Sequence, residues 1–395
     1  MLHRTKHKIF LERFRWTLLA QNVFGVSSLT IDNKGRVKSG NTAPKLILMI
    51  IVSAILVSTW FIYYNNESAV VCKSNAKKVV LFYYFVIIET LVAIGFNVIS
   101  TIRIAWPSSQ KSLAQCWEQL IAKVQDMHTL YNCSIESKRS FQLFWLWLCI
   151  LSISYCIFLT YMVLSSTVRF VVQTNHFIMY GLRIYAYLSH TTLCASFGLF
   201  AMLLRILIVE MKRMIHQTVS ETQLRSMIQL YRHILQIIES FCAVYGWVLL
   251  LIFFEHFLIL TDRSFFAVRM YRATVGFSSL QVLSMMLTWV FPLTLNDMML
   301  IGACTATEKA LQEFEKQLCS VGKTMTEDTS DFTFMITSFS LYVAEQKPKF
   351  RILKSLNLNF SLLYGSCGIV ATYLTVFLQF DSYDTLSTTS NTGNG

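Results

Sequence analysis

The sequence predicts an all-α membrane protein with seven transmembrane helices and a cytoplasmic N-terminus. Its 395 residues are 54% apolar and 14% charged, and the mean hydropathy is +0.50. A soluble protein carries about 25% charged residues, so a water-soluble globule is excluded. Only 4 Pro and 14 Gly are present, which excludes a collagen-like or low-complexity chain.

Seven apolar stretches are long enough to cross a bilayer core, which takes roughly 20 helical residues. The fourth stretch exceeds one crossing, so its end is expected to continue as helix beyond the membrane. The spans run Leu46–Tyr64, Val79–Ile102, Leu143–Ser166, Phe177–Met211, Phe241–Thr261, Val275–Gly302 and Phe360–Phe380. They divide the chain into an N-terminal segment (1–44), helices 1–6 (45–302), a cytoplasmic anchor segment (303–358), helix 7 (359–380) and an extracellular tail (381–395).

The distribution of basic residues predicts the orientation, because cytoplasmic segments are enriched in Lys and Arg. The N-terminal segment carries 8, and the loops after spans 2, 4 and 6 carry 5, 4 and 7. The opposite loops carry 3, 1 and 3, and the tail carries none, which gives 24 against 7. The N-terminus is therefore expected inside and the C-terminus outside. The net charge of +12 is thereby explained without a nucleic-acid partner. Asn66 begins a glycosylation sequon in the first outside loop.

Amphipathic stretches flank spans 5 and 6 on the cytoplasmic side. Apolar residues recur at helical spacing between Leu224 and Phe241, between Ala310 and Val321, and within the apolar segment Phe332 to Val343. Two interpretations stay open: packing within the chain, or a contact domain between subunits.

Ionisable residues inside spans are costly and mark functional sites. Several lie with aromatic residues in the outer or middle part of the helices, as in a small-molecule pocket. The alternative is an interfacial aromatic belt, with Arg183 pairing to Glu89 or Glu255 for stability. The pocket candidates are Tyr83, Tyr84, Glu89, Tyr155, Arg183, Tyr187, His190, Phe254, Glu255, His256, Gln281 and Trp289.

Span 7 carries a stripe of small and polar residues. Helical spacing places Ser361, Gly365, Gly368, Thr372, Thr375, Val376 and Gln379 on one face. Such a stripe indicates either close helix packing or the lining of an aqueous path. Gln379 is too large for a packing notch and favours the path. No catalytic motif was found, and we expect neither an enzyme nor a cofactor.

The end of span 7, from Thr372-Tyr373 to Gln379-Phe380, has the form TY, five nearly apolar residues, QF. This resembles the C-terminal signature of insect gustatory receptors, which are similar to insect odorant receptors. The resemblance implies a ligand-gated cation channel in the plasma membrane of gustatory neurons, assembled as a homo- or heterotetramer around helix 7. Gln379 and Phe380 would then form the outer gate, with Val376 and Thr372 below it.

The resemblance also implies a small-molecule tastant. Sugar-responsive members typically carry Glu after the Thr-Tyr pair, whereas this chain has Leu374, which favours a bitter-type or other non-sugar ligand. One alternative is a G-protein-coupled receptor, but its outside N-terminus contradicts the charge distribution. A secondary transporter is the other; it would show repeated halves and broken helices, and neither was found.

Overall fold

The computed structural model describes most of the helical part of the chain. The described ranges are 2–24, 27–32, 36–41, 102–130, 138–166, 173–215, 221–272, 279–325, 330–345, 349–353 and 355–391, with isolated positions between 43 and 100. Spans 1 and 2 and the sequon at Asn66 fall almost wholly outside these residues.

Eight helices and two short hairpins make up the described parts of the chain. The helices are α1 (Leu2–Val23), α2 (Pro107–Leu130), α3 (Lys138–Ser166), α4 (Gln173–Ile215), α5 (Glu221–Arg272), α6 (Ser279–Met325), α7 (Ser330–Glu345) and α8 (Phe360–Asn391). The strands are β1 (Leu29–Ile31) and β2 (Val37–Ser39), which pair antiparallel, and β3 (Arg351–Ile352) and β4 (Leu356–Asn357), which do the same. The all-α prediction is confirmed; the hydropathy pattern did not indicate the hairpins.

Five of the predicted spans coincide with α3, α4, α5, α6 and α8, each long and apolar enough to cross a membrane. The helices α4, α5 and α6 have 43, 52 and 47 residues. At 1.5 Å per residue they extend roughly 65–78 Å, about twice the ~30 Å of a bilayer core. Long helical extensions therefore project from the membrane-spanning bundle, as expected for span 4.

The apolar stripes of these extensions pack within the chain. On α5, Leu224, Tyr231 and Ile234 are fully buried, and on α6 so are Phe314 and Leu318. On the opposite face of α5, Arg225, Gln229 and Arg232 are exposed, so the predicted periodicity is correct. These two stripes belong to the internal core, and a subunit contact has to use other surfaces, such as the exposed Phe334 and Leu341 of α7.

Helices α4 and α6 pack against each other most extensively, and α3 and α5 pack beside them. Helix α8 lies at the edge of this bundle against α5 and α6. The β3–β4 hairpin directly precedes α8 and packs against α5, which places it at the base of the last membrane helix.

Candidate functional site

A layer of polar side chains joins α3, α4, α5 and α6 in the middle of the bundle. We call it the polar layer and define it by Trp147, His190, Glu255, His256, Asn296 and Asp297. The helices α4, α5 and α6 end on one side of the bundle at Gln173, Arg272 and Ser279, respectively. On each of these helices the members of the polar layer lie about 17 residues, or roughly 25 Å, from that end. The layer is therefore deep in the apolar part of the bundle.

Two histidine–carboxylate contacts connect the helices of the polar layer. His190 Nδ1 lies 3.0 Å from Glu255 Oε2, and His256 Nδ1 lies 2.8 Å from Asp297 Oδ1. Because Glu255 and His256 are neighbours on α5, they point about 100° apart, and one reaches α4 while the other reaches α6. All four residues are buried, with at most 4% of each exposed. Helix α5 is thereby tied to both of its neighbours at one depth.

The His190–Glu255 contact leaves hydrogen-bonding capacity unused. Within the described ranges, neither ring nitrogen of His190 and neither carboxylate oxygen of Glu255 makes a hydrogen bond of good geometry, although the two groups touch. Buried polar groups without hydrogen bonds are costly. This pair can therefore accept a polar group of a ligand or an ordered water.

Aromatic side chains lie on either side of these contacts. The indole Nε1 of Trp147 donates to Asn296 Oδ1 at 3.0 Å. Tyr155 on α3 and Tyr187 on α4 are buried and stack with ring centroids 5.7 Å apart. Ser166 ends α3 and Gln173 begins α4 on the same side of the bundle. Both tyrosines lie closer to that side than the polar layer does. Stacked aromatic rings beside hydrogen-bonding groups are typical of small-molecule pockets.

The structure brings together five of the candidates chosen from sequence: Tyr155, Tyr187, His190, Glu255 and His256. Phe254 is not among them, because it is 49% exposed and faces away, with its ring 5.8 Å from that of Phe96. Tyr83, Tyr84 and Glu89 lie outside the described residues, as do the side chains of Arg183, Gln281 and Trp289. Glu255 contacts His190, and the suggested pairing of Glu255 with Arg183 involves a side chain outside the described residues.

Sequence reasoning missed Trp147, Asn296 and Asp297. Asp297 could have been found, because it is an acidic residue inside predicted span 6, and the rule that singled out Glu255 applies to it equally. Trp147 gave no such signal, since a tryptophan in an apolar span is expected at lipid or in a core.

The stripe of α8 faces away from the rest of the chain. No residue of the 18-residue apolar window within Phe360–Gln379 is buried, and Thr372, Val376 and Gln379 are exposed. A Cβ atom added at Gly365 or Gly368 would meet nothing within 4 Å. Among the residues that the structure describes, none packs into these small positions, so they are not notches for packing against those parts of the chain. The hydroxyl of Thr372 donates to Gly368 O at 2.9 Å, which leaves its oxygen lone pairs available on the exposed face. The side chain of Phe380 lies outside the described residues.

The hairpin below α8 is held to two neighbouring helices. The backbone N–H of Phe350 donates to Glu308 Oε1 of α6 at 2.6 Å. On α5, a Cβ atom at Gly246 would lie 3.1 Å from the backbone nitrogen of Leu353, so glycine allows the hairpin backbone to approach. Leu353 itself has φ = 53°, the left-handed conformation that closes the turn. The start of α8 is thus positioned by both α5 and α6.

Electrostatics outside the membrane-spanning parts agree with this attachment. Burial raises the pKa of Glu308, while the Phe350 amide and the nearby Lys349 and Arg351 act to lower it. Burial likewise raises the pKa of Glu315, which accepts a hydrogen bond from the Tyr231 hydroxyl. Glu315 lies among the apolar residues that recur between Ala310 and Val321 and is itself a charged residue type, but it is only 9% exposed, because the α5 tyrosine covers it.

The comparison with protein families decides the class of this chain. A family model described as 7tm Chemosensory receptor matches residues 14–384. The chain belongs to the 7tm chemosensory receptor family. No curated protein sequence matches this receptor significantly.

Solved structures of an insect olfactory receptor share the fold of this chemosensory receptor. The structure of olfactory receptor OR5 from Machilis hrabei matches with a TM-score of 0.60 at 15% identity, covering 95% of this chain and 99% of that one. The structure of the same receptor in complex with eugenol matches with a TM-score of 0.59 at 14% identity, covering 94% and 99%. The expected chemoreceptor family is therefore confirmed by the family model, and the expected multi-pass membrane fold by that model and the shared fold.

Proposed function

We propose that this chemosensory receptor is a gustatory ligand-gated cation channel in which α8 lines the pore of a tetramer. The observation that carries the proposal is the exposure of the α8 stripe. A membrane helix whose apolar window is wholly unburied by its own chain is covered by lipid, by water or by other subunits. Gly365, Gly368, Thr372 and Gln379 are a poor match to hydrocarbon, because polar side chains and bare backbone favour water or protein. A water-filled path between copies of α8 accounts for the stripe.

The proposed arrangement uses Gln379 and Phe380 as the outer gate, with Val376 and Thr372 below. It follows from the signature that ends span 7 and from the distribution of Lys and Arg, which puts the N-terminus in the cytoplasm and Gln379 near the outside. The extensions of α4 to α6 and the segment 303–358 then form the cytoplasmic anchor. Homomeric and mixed tetramers both satisfy this arrangement, and the cells are proposed to be gustatory neurons.

The ligand is proposed to be a non-sugar small molecule that reaches the buried cluster from the extracellular side. Tyr155 and Tyr187 supply stacked rings, and His190 and Glu255 supply unused donors and acceptors at its floor. OR5 of Machilis hrabei, which shares the fold, was solved with eugenol, and we infer a compound that likewise combines a ring with a hydrogen-bonding group. Leu374 in place of the acidic residue of sugar-responsive relatives supports the exclusion of sugars.

The proposed channel is tested by expressing the receptor alone and with co-receptors and screening ligands for evoked current. The current should persist when G-protein signalling is blocked; its disappearance would support the alternative of a G-protein-coupled receptor. Gln379→Glu should increase cation selectivity or alter gating. Tyr373→Leu is the matched control, because Tyr373 lies off the stripe with its ring 6.1 Å from that of Phe257. Equal permeation in Gln379→Glu and the control, at normal surface expression, would contradict the pore assignment.

The pocket is tested separately from the pore. Glu255→Gln preserves the shape of the side chain and removes its charge beside His190. We expect a shift of the ligand concentration–response curve with unchanged surface expression and unchanged ion selectivity. Loss of surface expression instead would show that the pair serves folding. Arg183→Gln is the corresponding test of the other charge expected in the pocket.

A further inference from the structure

Helix α1 has two apolar faces, and the described parts of the chain cover only one of them. Phe10, Phe14 and Leu18 are at most 4% exposed and belong to the core. On the other side, a stripe that we call the outer stripe comprises Ile9, Trp16, Leu19 and Val23, which are 41, 56, 48 and 64% exposed. Helical spacing puts these four within about 80° of one another and opposite the core face. An exposed apolar stripe of this kind marks an interaction surface.

Basic residues border the outer stripe on both edges. Arg15 lies on one edge, and the helical repeat puts Lys8 and Arg4 on the same edge, whereas Arg13 and Lys6 fall on the other. The helix carries these five basic residues against a single acidic residue, Glu12. Helical spacing places Glu12 within the outer stripe, one turn from both Lys8 and Arg15, whose charges oppose that of its carboxylate. An apolar face flanked by basic residues is typical of a helix that lies in a membrane interface.

The contacts of the core face place α1 at the depth where the membrane begins. The ring of Phe10 lies 5.6 Å from that of Phe141 on α3, and Phe141 lies two residues before the predicted start of span 3. Phe14 lies 4.8 Å from Trp117 on α2, and Trp117 lies 5.8 Å from Phe241, the first residue of predicted span 5. The exposed Trp16 is therefore near the level of the headgroups, where tryptophan is favoured.

We propose that α1 lies in the cytoplasmic membrane interface and binds anionic phospholipids, with the outer stripe in the acyl boundary and its basic borders on the headgroup phosphates. The basic residues of α1 favour an anionic phospholipid over the other surfaces that its apolar stripe could contact. An uncharged lipid surface or an apolar protein groove would satisfy Trp16 and Val23 but would leave the arginines and lysines unexplained. The cytoplasmic leaflet carries the anionic lipids, and the N-terminus is proposed to face it.

The test uses the full-length receptor in lipid nanodiscs. Two photoactivatable phospholipids are compared, identical in their diazirine-bearing acyl chain but carrying a phosphatidylserine or a phosphatidylcholine headgroup. Labelled peptides are identified by mass spectrometry. Because nanodiscs expose both membrane faces, the result does not depend on the proposed orientation or on channel activity.

We expect the peptides of α1 to be labelled more strongly by the phosphatidylserine probe, and high salt to reduce the difference. In the Arg13→Gln/Arg15→Gln double variant, the preference should fall by about fivefold for each charge removed. Lys309→Gln/Lys316→Gln is the matched control, since it removes the same charge from the exposed surface of the α6 extension and should leave the preference unchanged. Normal gel-filtration profiles show that both variants fold.

Equal labelling of α1 by the two probes would overturn the proposal, since headgroup charge would then have no role. An absence of lipid label on α1, together with cross-links from α1 to a second receptor chain, would also overturn it and make the outer stripe a subunit contact. The comparison of probes on the unmodified receptor needs no substitution, so the proposal can fail even where a variant does not fold.

Discussion

Glu308 connects α6 to the hairpin that precedes α8, and its replacement by alanine tests whether this attachment controls the channel. Its Oε1 atom accepts the backbone N–H of Phe350 at 2.6 Å, and Phe350 is fully buried. A hydrogen bond to a charged group contributes about 1.5–3 kcal/mol. Glu308→Ala should therefore shift the equilibrium between attached and detached hairpin by roughly 10- to 150-fold.

The expected result has two parts, because the hairpin both stabilises the fold and positions α8. Glu308→Ala should lower the melting temperature of the purified receptor and shift the concentration–response curve of the ligand-evoked current. Glu308→Gln is the control, since its amide oxygen can still accept the Phe350 N–H, and it should lose less in both assays. Identical behaviour of wild type, Ala and Gln would refute the reasoning. If Glu308→Ala lowers the melting temperature but leaves gating unchanged, the hairpin stabilises the fold, and only its coupling to α8 is refuted.

Three further predictions concern stability, each measured by thermal unfolding of the purified receptor. Burial raises the pKa of Glu315, so the folded state binds the proton more tightly than the unfolded chain. The resulting contribution to the free energy of unfolding is present below the ordinary pKa of 4.5 and is lost as the pH rises through the pKa of the folded state. Glu315→Gln should therefore reduce the loss of stability over this pH range. Gly198→Ala should destabilise the receptor, because the new Cβ atom would lie 2.6 Å from the ring of Trp147. The steric cost is about 1–3 kcal/mol, from which about 1 kcal/mol of gained helix propensity is subtracted. Gly302→Ala is the control, since its Cβ atom would meet nothing within 4 Å, and it should not destabilise the receptor. Asp297→Ala leaves a buried histidine without its partner and should cost about 3–5 kcal/mol, with Asp297→Asn costing less; equal melting temperatures for Asp297→Ala and wild type would show the pair to be unimportant.

The helices were predictable because each signal is local. The length of an apolar run determines whether a segment can cross the membrane, and the 3.6-residue period determines which side of an extension is buried. Leu224, Tyr231 and Phe314 were assigned to apolar stripes on that basis, and all are buried. Whether the stripes pack within the chain or between subunits was left open by the sequence. The burial of Glu315 could not be predicted from its charged residue type, because it depends on a hydrogen bond from another helix.

The candidate site was predicted only in part. Five members were found because ionisable residues inside spans are rare enough to stand out, and tyrosines at similar depth were chosen with them. Their partners were not, since the chain separates Trp147 from Asn296 by 149 residues and His190 from Glu255 by 65. Pairing over such distances depends on how α3 to α6 pack, which no local pattern records.

A multi-pass chemoreceptor could be recognised without any structure, because hydropathy and the final signature of span 7 are properties of contiguous residues. The packing of the helices was needed to show which histidine meets which carboxylate and that Gly246 and Glu308 hold the hairpin. It was also needed to show that the α8 stripe does not pack against the other described residues. Those facts depend on the relative positions of helices that are remote in sequence. The structure also distinguishes the two apolar faces of α1. Phe14 and Trp16 are both apolar residues, but of the two only Phe14 is buried.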